Sequence, residues 1–334
     1  MIKQSSAGIK VKRNQGERFR RVLVEMEILD RCKKIASDEL FVYLPILQVS
    51  QKALETLDEI SDFEIIEHEF EPEPCRVTPE SILGYSPSFE VIGDIAIVEP
   101  EDADKVALAL LSSCKSLRSV ITPLSEVEGE FRTRRFKNVA GEPRTTTIHK
   151  EHGLRYIIDL EAVYFSPRLG TERLRISKLV KPNDFVLDMF AGVGPFALLL
   201  AKRGAKVIAI DKNPIAVKYL RQNAELNRID LEILEGDASD LALDYENMAD
   251  HIIMNLPHSA HEFLEPAMRA AKNGGIVHYY SISSEKDLYK DLELIEAAAS
   301  KQGIRAEAKY EGVVRSYAPH RFNVVIDFRL NKPR

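Results

Sequence analysis

Asp188-Met189-Phe190-Ala191-Gly192-Val193-Gly194-Pro195 places an acid, two glycines and a proline within eight residues. Glycines let a backbone turn tightly and approach a ligand closely, although a purely structural turn needs them just as much. Asp211 follows the apolar run Val207-Ile208-Ala209-Ile210, 23 residues after Asp188, the spacing at which an acid accepts hydrogen bonds from ribose hydroxyls. Gly236-Asp237-Ala238 offers a further carboxylate. A pyrophosphate needs bare N–H groups at a helix start; Pro195 removes one, and Asp188 would repel the phosphate while suiting a cationic amino-acid group. In Met254-Asn255-Leu256-Pro257-His258, Asn255 can both accept from and donate to a flat heterocycle, and a generic strand-end turn is the alternative. His258 and His261 stand three apart with no third ligand at a recognisable spacing, so a surface or capping role is expected and no metal is required. Glu172 lies among Arg168, Arg173 and Arg175, a pattern that an exposed ion-paired helix explains as well as chemistry does.

These residues need elements to hold them. From Asp184 onward, short apolar runs alternate with helical patterns: strands at 185–187, 206–210, 231–234, 252–254 and 276–280, with helices at 195–202 and 213–227. Strand–helix alternation predicts a doubly wound parallel sheet with its ligand loops at the C-terminal ends of the strands. The last two strands, 306–314 and 322–328, have no helix between them and predict an antiparallel hairpin. That hairpin, with the acid before the Gly-x-Gly-Pro turn, favours a class I S-adenosylmethionine-dependent methyltransferase over a nicotinamide enzyme. The expected fold is α/β: a Rossmann-like doubly wound sheet with a terminal antiparallel hairpin, preceded by two small α+β domains.

The first small domain, 1–68, reads as a helix at 15–29, a strand at 40–44, a helix at 50–60 and a strand at 63–70. Residues 69–87, rich in proline and acid, read as a linker. The second α+β unit spans 88–155, with a helix at 103–114, and the catalytic domain spans 156–334. Three scattered cysteines form no CxxC pair and no even-numbered framework, arguing against structural zinc and a disulfide-stapled secreted domain. No apolar run is long enough to span a bilayer and no secretory signal is visible, so a cytoplasmic protein is expected. The net charge of −6 disfavours a polyanionic partner, but it is unevenly spread. Residues 55–104 hold 16 acids and one base, leaving 45 bases and 36 acids elsewhere; residues 1–35 hold 10 bases and 4 acids.

Seven ordered strings carry a resemblance: 129–134, 140–145, 148–153, Tyr164-Phe165-Ser166-Pro167-Arg168-Leu169-Gly170-Thr171-Glu172-Arg173, Asp188 to Phe196, Asn255-Leu256-Pro257, and Ser316-Tyr317-Ala318-Pro319. The chain resembles the archaeal and eukaryotic tRNA (guanine-37-N1)-methyltransferase family from about Gly129 onward, and its basic first domain is similar to the tRNA-reading domain of archaeal members. Pro143 and His258 depart from the family pattern, where asparagine and lysine are expected. The resemblance implies methyl transfer from S-adenosylmethionine to N1 of guanosine 37, with Glu172 as general base, Arg132 stabilising charge on O6 and Asn255 holding the base edge. Burial is expected to raise the Glu172 pKa toward working pH. The implied cofactor set is Tyr164, Arg173, Asp188, Phe190, Gly192, Gly194, Asp211, Lys212, Asp237, Ala238, Asn255 and Pro257. Arg18, Arg20, Arg21, Arg134, Arg135, Lys137 and Arg144 are the candidate tRNA contacts, and a monomer is expected. Alternatives are a sister enzyme acting at the same position, either an aminocarboxypropyl transferase or a wyosine-type guanosine methyltransferase, and a non-catalytic tRNA-binding protein.

Overall fold

A computed structural model describes residues 4–26, 28–73, 77–125, 129, 131 and 133–333. The chain forms two compact units, Met1–Thr78 and Pro79–Arg334. The first is a four-stranded antiparallel sheet of β1 (Gln4–Lys12), β2 (Ala36–Ser37), β3 (Phe41–Pro45) and β4 (Glu64–Phe70), in the order β2-β3-β1-β4. Helices α1 (Gly16–Glu25) and α2 (Gln51–Asp58) bring Phe19, Leu23, Ala53 and Leu57 into a core with Ile9, Val11 and Leu44. The central strand β1 was not expected, because its polar first half hides the alternation that Ile9 and Val11 carry. Cys32 is disulfide-bonded and Cys114 is free.

In the second unit, α3 (Pro79–Leu83) packs against α4 (Ala103–Ser113), which covers the sheet β5-β6-β7-β8 built from Phe89–Ile92, Ile95–Val98, Ser119–Pro123 and Phe136–Gly141. The stretch expected as linker, 69–87, thus contains the end of β4, a bridge from Pro72 to Lys33 and helix α3. A hairpin of β9 (Thr146–Glu151) and β10 (Leu154–Asp159) crosses the expected boundary at 155/156. Its Leu154, Tyr156 and Ile158 share one core with Ile92, Ile95 and Ile121 and with Val186 and Leu198 further on. The second α+β unit and the catalytic domain therefore share a core within this unit.

Helix α5 (Gly170–Leu179) leads into a seven-stranded sheet. Strands β11 (Phe185–Asp188), β12 (Lys206–Asp211), β13 (Glu232–Glu235), β14 (Ala249–Met254) and β15 (Ala271–Ser284) are parallel. The strand β16 (Arg305–Ala318) pairs antiparallel with β17 (Arg321–Asn331), which lies against β15 in the order β13-β12-β11-β14-β15-β17-β16. Helices α6 (Ala197–Lys202), α7 (Pro214–Asn227), α8 (Ala238–Leu241), α9 (Leu264–Ala270) and α10 (Leu292–Lys301) complete it. Strand alternation divides the side chains cleanly between the faces. Val186, Val207, Ala209, Ile253, Tyr280 and Val325 face α6 and α7, while Leu187, Ile208, Ile252, Val277 and Ile326 share a core with α9 and α10. Among the described residues no helix is long and apolar enough to cross a membrane.

Candidate active site

The C-terminal ends of β11 to β14 surround a cavity lined by Tyr164, Arg173, Phe190, Gly192, Asp211, Lys212, Asp237, Ala238, Asn255 and Pro257, ten of the expected site residues. Met189, Leu256 and Phe263 join Phe190 and Ala238 in an apolar slot; Phe190 and Phe263 meet edge to face with centroids 4.9 Å apart. Phe263 was missed by the sequence reasoning because it lies in a short irregular turn with no periodic signal. Pro257 sits in a tight loop in which the Leu256 carbonyl accepts from the Ser259 and Ala260 N–H groups at 3.1 and 2.8 Å.

Asp211 organises the loops around it. Its Oδ2 accepts from the Gly192 N–H at 2.6 Å and its Oδ1 from the Asn213 N–H at 2.8 Å. Burial raises its pKa above the usual value against these two donors. Asn213 caps α7 by accepting from Ile215 N–H at 2.9 Å and donates to the Ala162 carbonyl at 3.1 Å, tying the segment after β10 to the start of α7. Asp237 caps α8 through Ser239, whose N–H lies at 2.9 Å, and pairs with Lys212 at 3.3 Å; the Ser239 N–H is the main influence holding its pKa low.

Asp188 and Gly194 are not brought to the cavity wall. Asp188 is buried on the Val186 face of the sheet, and neither of its oxygens has a partner in hydrogen-bond geometry. Burial raises its pKa to about 7, against the loop N–H groups of Phe190 and Ala197, with Asp211 adding repulsion. Gly194 has φ +90°, and a Cβ there would lie 2.2 Å from Leu220 Cδ1, so it lets the turn pack on α7.

Helix α5 supplies Glu172 and Arg173. Arg173 is 1% exposed, lines the cavity, forks onto Glu151 at 2.7 and 2.6 Å and donates to the Ser166 carbonyl at 3.0 Å. Glu172, 8% exposed, is held by Arg175 one turn on and by Tyr280, which the sequence did not single out. Its Oε1 accepts from Arg175 Nη2 and Tyr280 Oη, both at 2.7 Å, and its Oε2 from Arg175 Nε at 2.8 Å. Acceptor capacity remains on Oε2. Burial, then the Glu172 charge, raises the Tyr280 pKa well above its usual value, so the hydroxyl stays a donor.

The expected tRNA contacts differ in how free they are. Arg18, Arg135 and Lys137 are exposed, and Arg134 lies half-buried over the Phe136 ring at 5.1 Å. Arg20 and Arg21 are engaged by Glu17 at 2.8 and 3.2 Å on α1. Arg144 forks onto Asp94 at 3.0 and 2.7 Å, bonds Glu142 and donates to the Thr146 carbonyl, which joins two sheets. Arg132 lies outside the described residues.

The strand order with its reversed last pair, and the cavity at the C-terminal edge, define a class I methyltransferase. The TRM5/TYW2 methyltransferase domain matches residues 147–307, and the tRNA methyltransferase 5 N-terminal domain matches residues 8–54. The chain belongs to the TRM5/TYW2 methyltransferase family. It is 40% identical over 339 residues to the tRNA (guanine(37)-N(1))-methyltransferase Trm5b of Pyrococcus abyssi, covering 97% of this chain and 98% of that one. The complex of aTrm5 and tRNALeu superposes with a TM-score of 0.69 at 34% identity, covering 98% of this chain and 100% of that one. The crystal structure of Methanocaldococcus jannaschii TYW2 in complex with AdoMet gives a TM-score of 0.59 at 28% identity, covering 74% and 100%.

Proposed function

We propose that the protein transfers a methyl group from S-adenosylmethionine to N1 of guanosine 37 in tRNA. The observation that carries this is one cavity uniting an apolar slot, two strand-end acids and Asn255, with Glu172 on the helix whose next residue forms part of the wall. The donor set fits the cofactor. Met189, Phe190, Ala238, Leu256 and Phe263 suit a purine, Asp211 and Asp237 suit ribose hydroxyls, and the unpartnered Asp188 suits a nearby ammonium. When bound, S-adenosylmethionine supplies an electrophilic methyl group. Guanine N1 carries a proton and no free lone pair, so attack requires a base, and Glu172 takes that proton through Oε2. Asn255 orients the base edge, and Arg132 neutralises the charge that grows on O6. The target base leaves its stack to enter the cavity, with the exposed Arg135 and Lys137 holding neighbouring phosphates.

Two features support N1 methylation over the sister chemistry. The similarity to Trm5b runs through 97% of this chain, against 74% for TYW2, and includes the first unit. Addition of an aminocarboxypropyl arm to carbon would not call for a base in the place of Glu172. Mass spectrometry of a guanosine-37 tRNA after incubation with enzyme and S-adenosylmethionine tests this, with N1-methylguanosine expected at that position. Recovery of unmodified tRNA, or of an aminocarboxypropyl adduct, would overturn the proposal.

A further inference from the structure

A polar row crosses the apolar face of the sheet beneath α5. Arg175 forks onto Glu172 and continues to Asp327 on β17, with Nη1 2.7 Å from Oδ2 and Nη2 3.3 Å from Oδ1. Asp327 Oδ1 accepts from His278 Nδ1 on β15 at 2.8 Å, and His278 Nε2 meets His251 Nδ1 on β14 at 3.0 Å. The two imidazoles stack within 6° of parallel, and His251 Nε2 lies 3.5 Å from Asp184 Oδ2 just before β11. His278, Asp327 and His251 are all buried. Residues 251, 278 and 327 share the face of Ile253, Tyr280 and Val325, where aliphatic side chains would cost far less desolvation.

Asp327 is a carboxylate and can only accept, so His278 Nδ1–H donates to it, and one proton is shared between His278 Nε2 and His251 Nδ1. Burial, followed by His278, pushes the His251 pKa down to about 4, against Asp184, whose Oδ2 lies 3.5 Å from His251 Nε2. Asp327 stays a carboxylate, because His278 and Arg175 outweigh its burial. Arg175 is a guanidinium that does not pass protons on, so the row does not conduct a proton from Glu172. What it sets is how one positive charge is shared between two carboxylates.

We propose that Asp327, fixed by His278, is a positioning residue for the methyl transfer: it holds Arg175 between itself and Glu172, which aims Glu172 and draws enough of the guanidinium charge away to keep that carboxylate basic. This rests on the assignment of Glu172 as the base. In the step it serves, the N1 proton passes to Glu172, the N1 electron pair forms the bond to the methyl carbon, and the carbon–sulfur pair leaves on sulfur as a neutral thioether. Among the described residues, the charged and titratable groups facing Glu172 and Arg175 are Tyr280 and His278 from β15, Asp327 from β17, and Tyr310 from β16, whose ring lies 4.4 Å from the guanidinium.

Single-turnover methylation of tRNA, followed across pH, tests the assignment. In Asp327→Asn the whole Arg175 charge falls on Glu172. The plateau rate should drop about tenfold or more, and the acid limb should move down by on the order of one pH unit. Cofactor and tRNA dissociation constants should stay within about threefold. His278→Asn keeps an N–H donor for Asp327 and should retain most of the rate, whereas His278→Leu removes the donor and should follow Asp327→Asn. An unshifted limb with a wild-type plateau in Asp327→Asn would overturn the proposal, as would a rate deficit matched by weaker binding. If Asp327→Asn does not fold, the two His278 variants decide: equal rates overturn it, and a deficit confined to leucine supports it. Glu172→Gln separates the two levels, since a wild-type rate there removes the base assignment itself.

Discussion

Glu172 accepts three hydrogen bonds and keeps capacity for one proton on Oε2, a geometry that fits a base held still. Its replacement by glutamine preserves shape and removes basicity. Glu172→Gln is therefore expected to bind cofactor and tRNA nearly as the parent does while losing about 10²–10⁴-fold in single-turnover rate, measured by quench-flow. Comparable loss of binding would make Glu172 structural. Asp188 leads to a different observable. An unfolded aspartate titrates near 3.8, and burial raises this one to about 7. Between those values the folded state holds more protons than the unfolded state, so stability falls as pH rises from about 4 to about 7. The shift is worth at most about 4 kcal/mol at 1.36 kcal/mol per unit. Without cofactor, Asp188→Asn should match the parent near pH 4 and melt at a progressively higher temperature toward pH 8. Parallel melting curves for the two proteins at every pH would show that Asp188 finds a compensating partner.

At the scale of elements, hairpin β9–β10 presents its outer strand to helix α7, and two asparagines one turn apart serve that edge. Asn223 Oδ1 accepts from Ile157 N–H at 2.7 Å, and its Nδ2 donates to the Ile157 and Val193 carbonyls at 3.2 and 3.1 Å. Asn227 does the same for Arg155, accepting at 2.9 Å and donating at 2.6 Å. A helix thus completes a strand's hydrogen bonding, every second residue of β10 meeting every fourth of α7. Asn223→Ala would strand buried backbone groups at both the hairpin and the glycine loop. A loss of about 1–3 kcal/mol in denaturant unfolding is expected, with faster amide exchange in β10. An unchanged unfolding midpoint would show that solvent replaces the side chain. None of this was legible in the sequence, because a polar residue on a helix reads as surface until its partner 66 residues away is known. The parallel strands were legible for the opposite reason: Val207-Ile208-Ala209-Ile210 is apolar on both faces, as only a doubly covered strand must be. Likewise Asp211 was found by its spacing from Asp188 and Arg175 by its place one turn from Glu172, whereas Tyr280 meets Glu172, and Asp327 meets Arg175, only through folding. The pairing of Arg144 with Asp94 from 50 positions earlier was hidden for the same reason.

For the whole molecule, a charge of −6 says little about partners until the acids are placed. Three of them, Glu64, Glu67 and Glu69, lie on β4, an edge strand of the first unit's sheet. Charge on an edge discourages pairing with another chain, and two of these acids are further engaged by Lys10 and Ser5. The acids thus have a structural use that leaves the exposed Arg18, Arg135 and Lys137 to act elsewhere. Each unit also has its own core, Phe19 and Leu23 in the first and Val186 and Leu198 in the second, so the second should fold without the first. Residues 79–334 alone are expected to bind S-adenosylmethionine within about threefold of the full chain, because every residue lining the cavity belongs to that unit. Their kcat/KM for tRNA should fall by on the order of tenfold or more if the first unit adds a second point of attachment through effective concentration. The salt dependence of tRNA affinity should become shallower by about 0.7–0.9 for each phosphate that the first unit neutralises in the full chain. Isothermal titration with cofactor and tRNA binding across a salt series measure both quantities. An identical salt slope for the two proteins would mean that the first unit neutralises no phosphate, and its basic helix would then need another explanation.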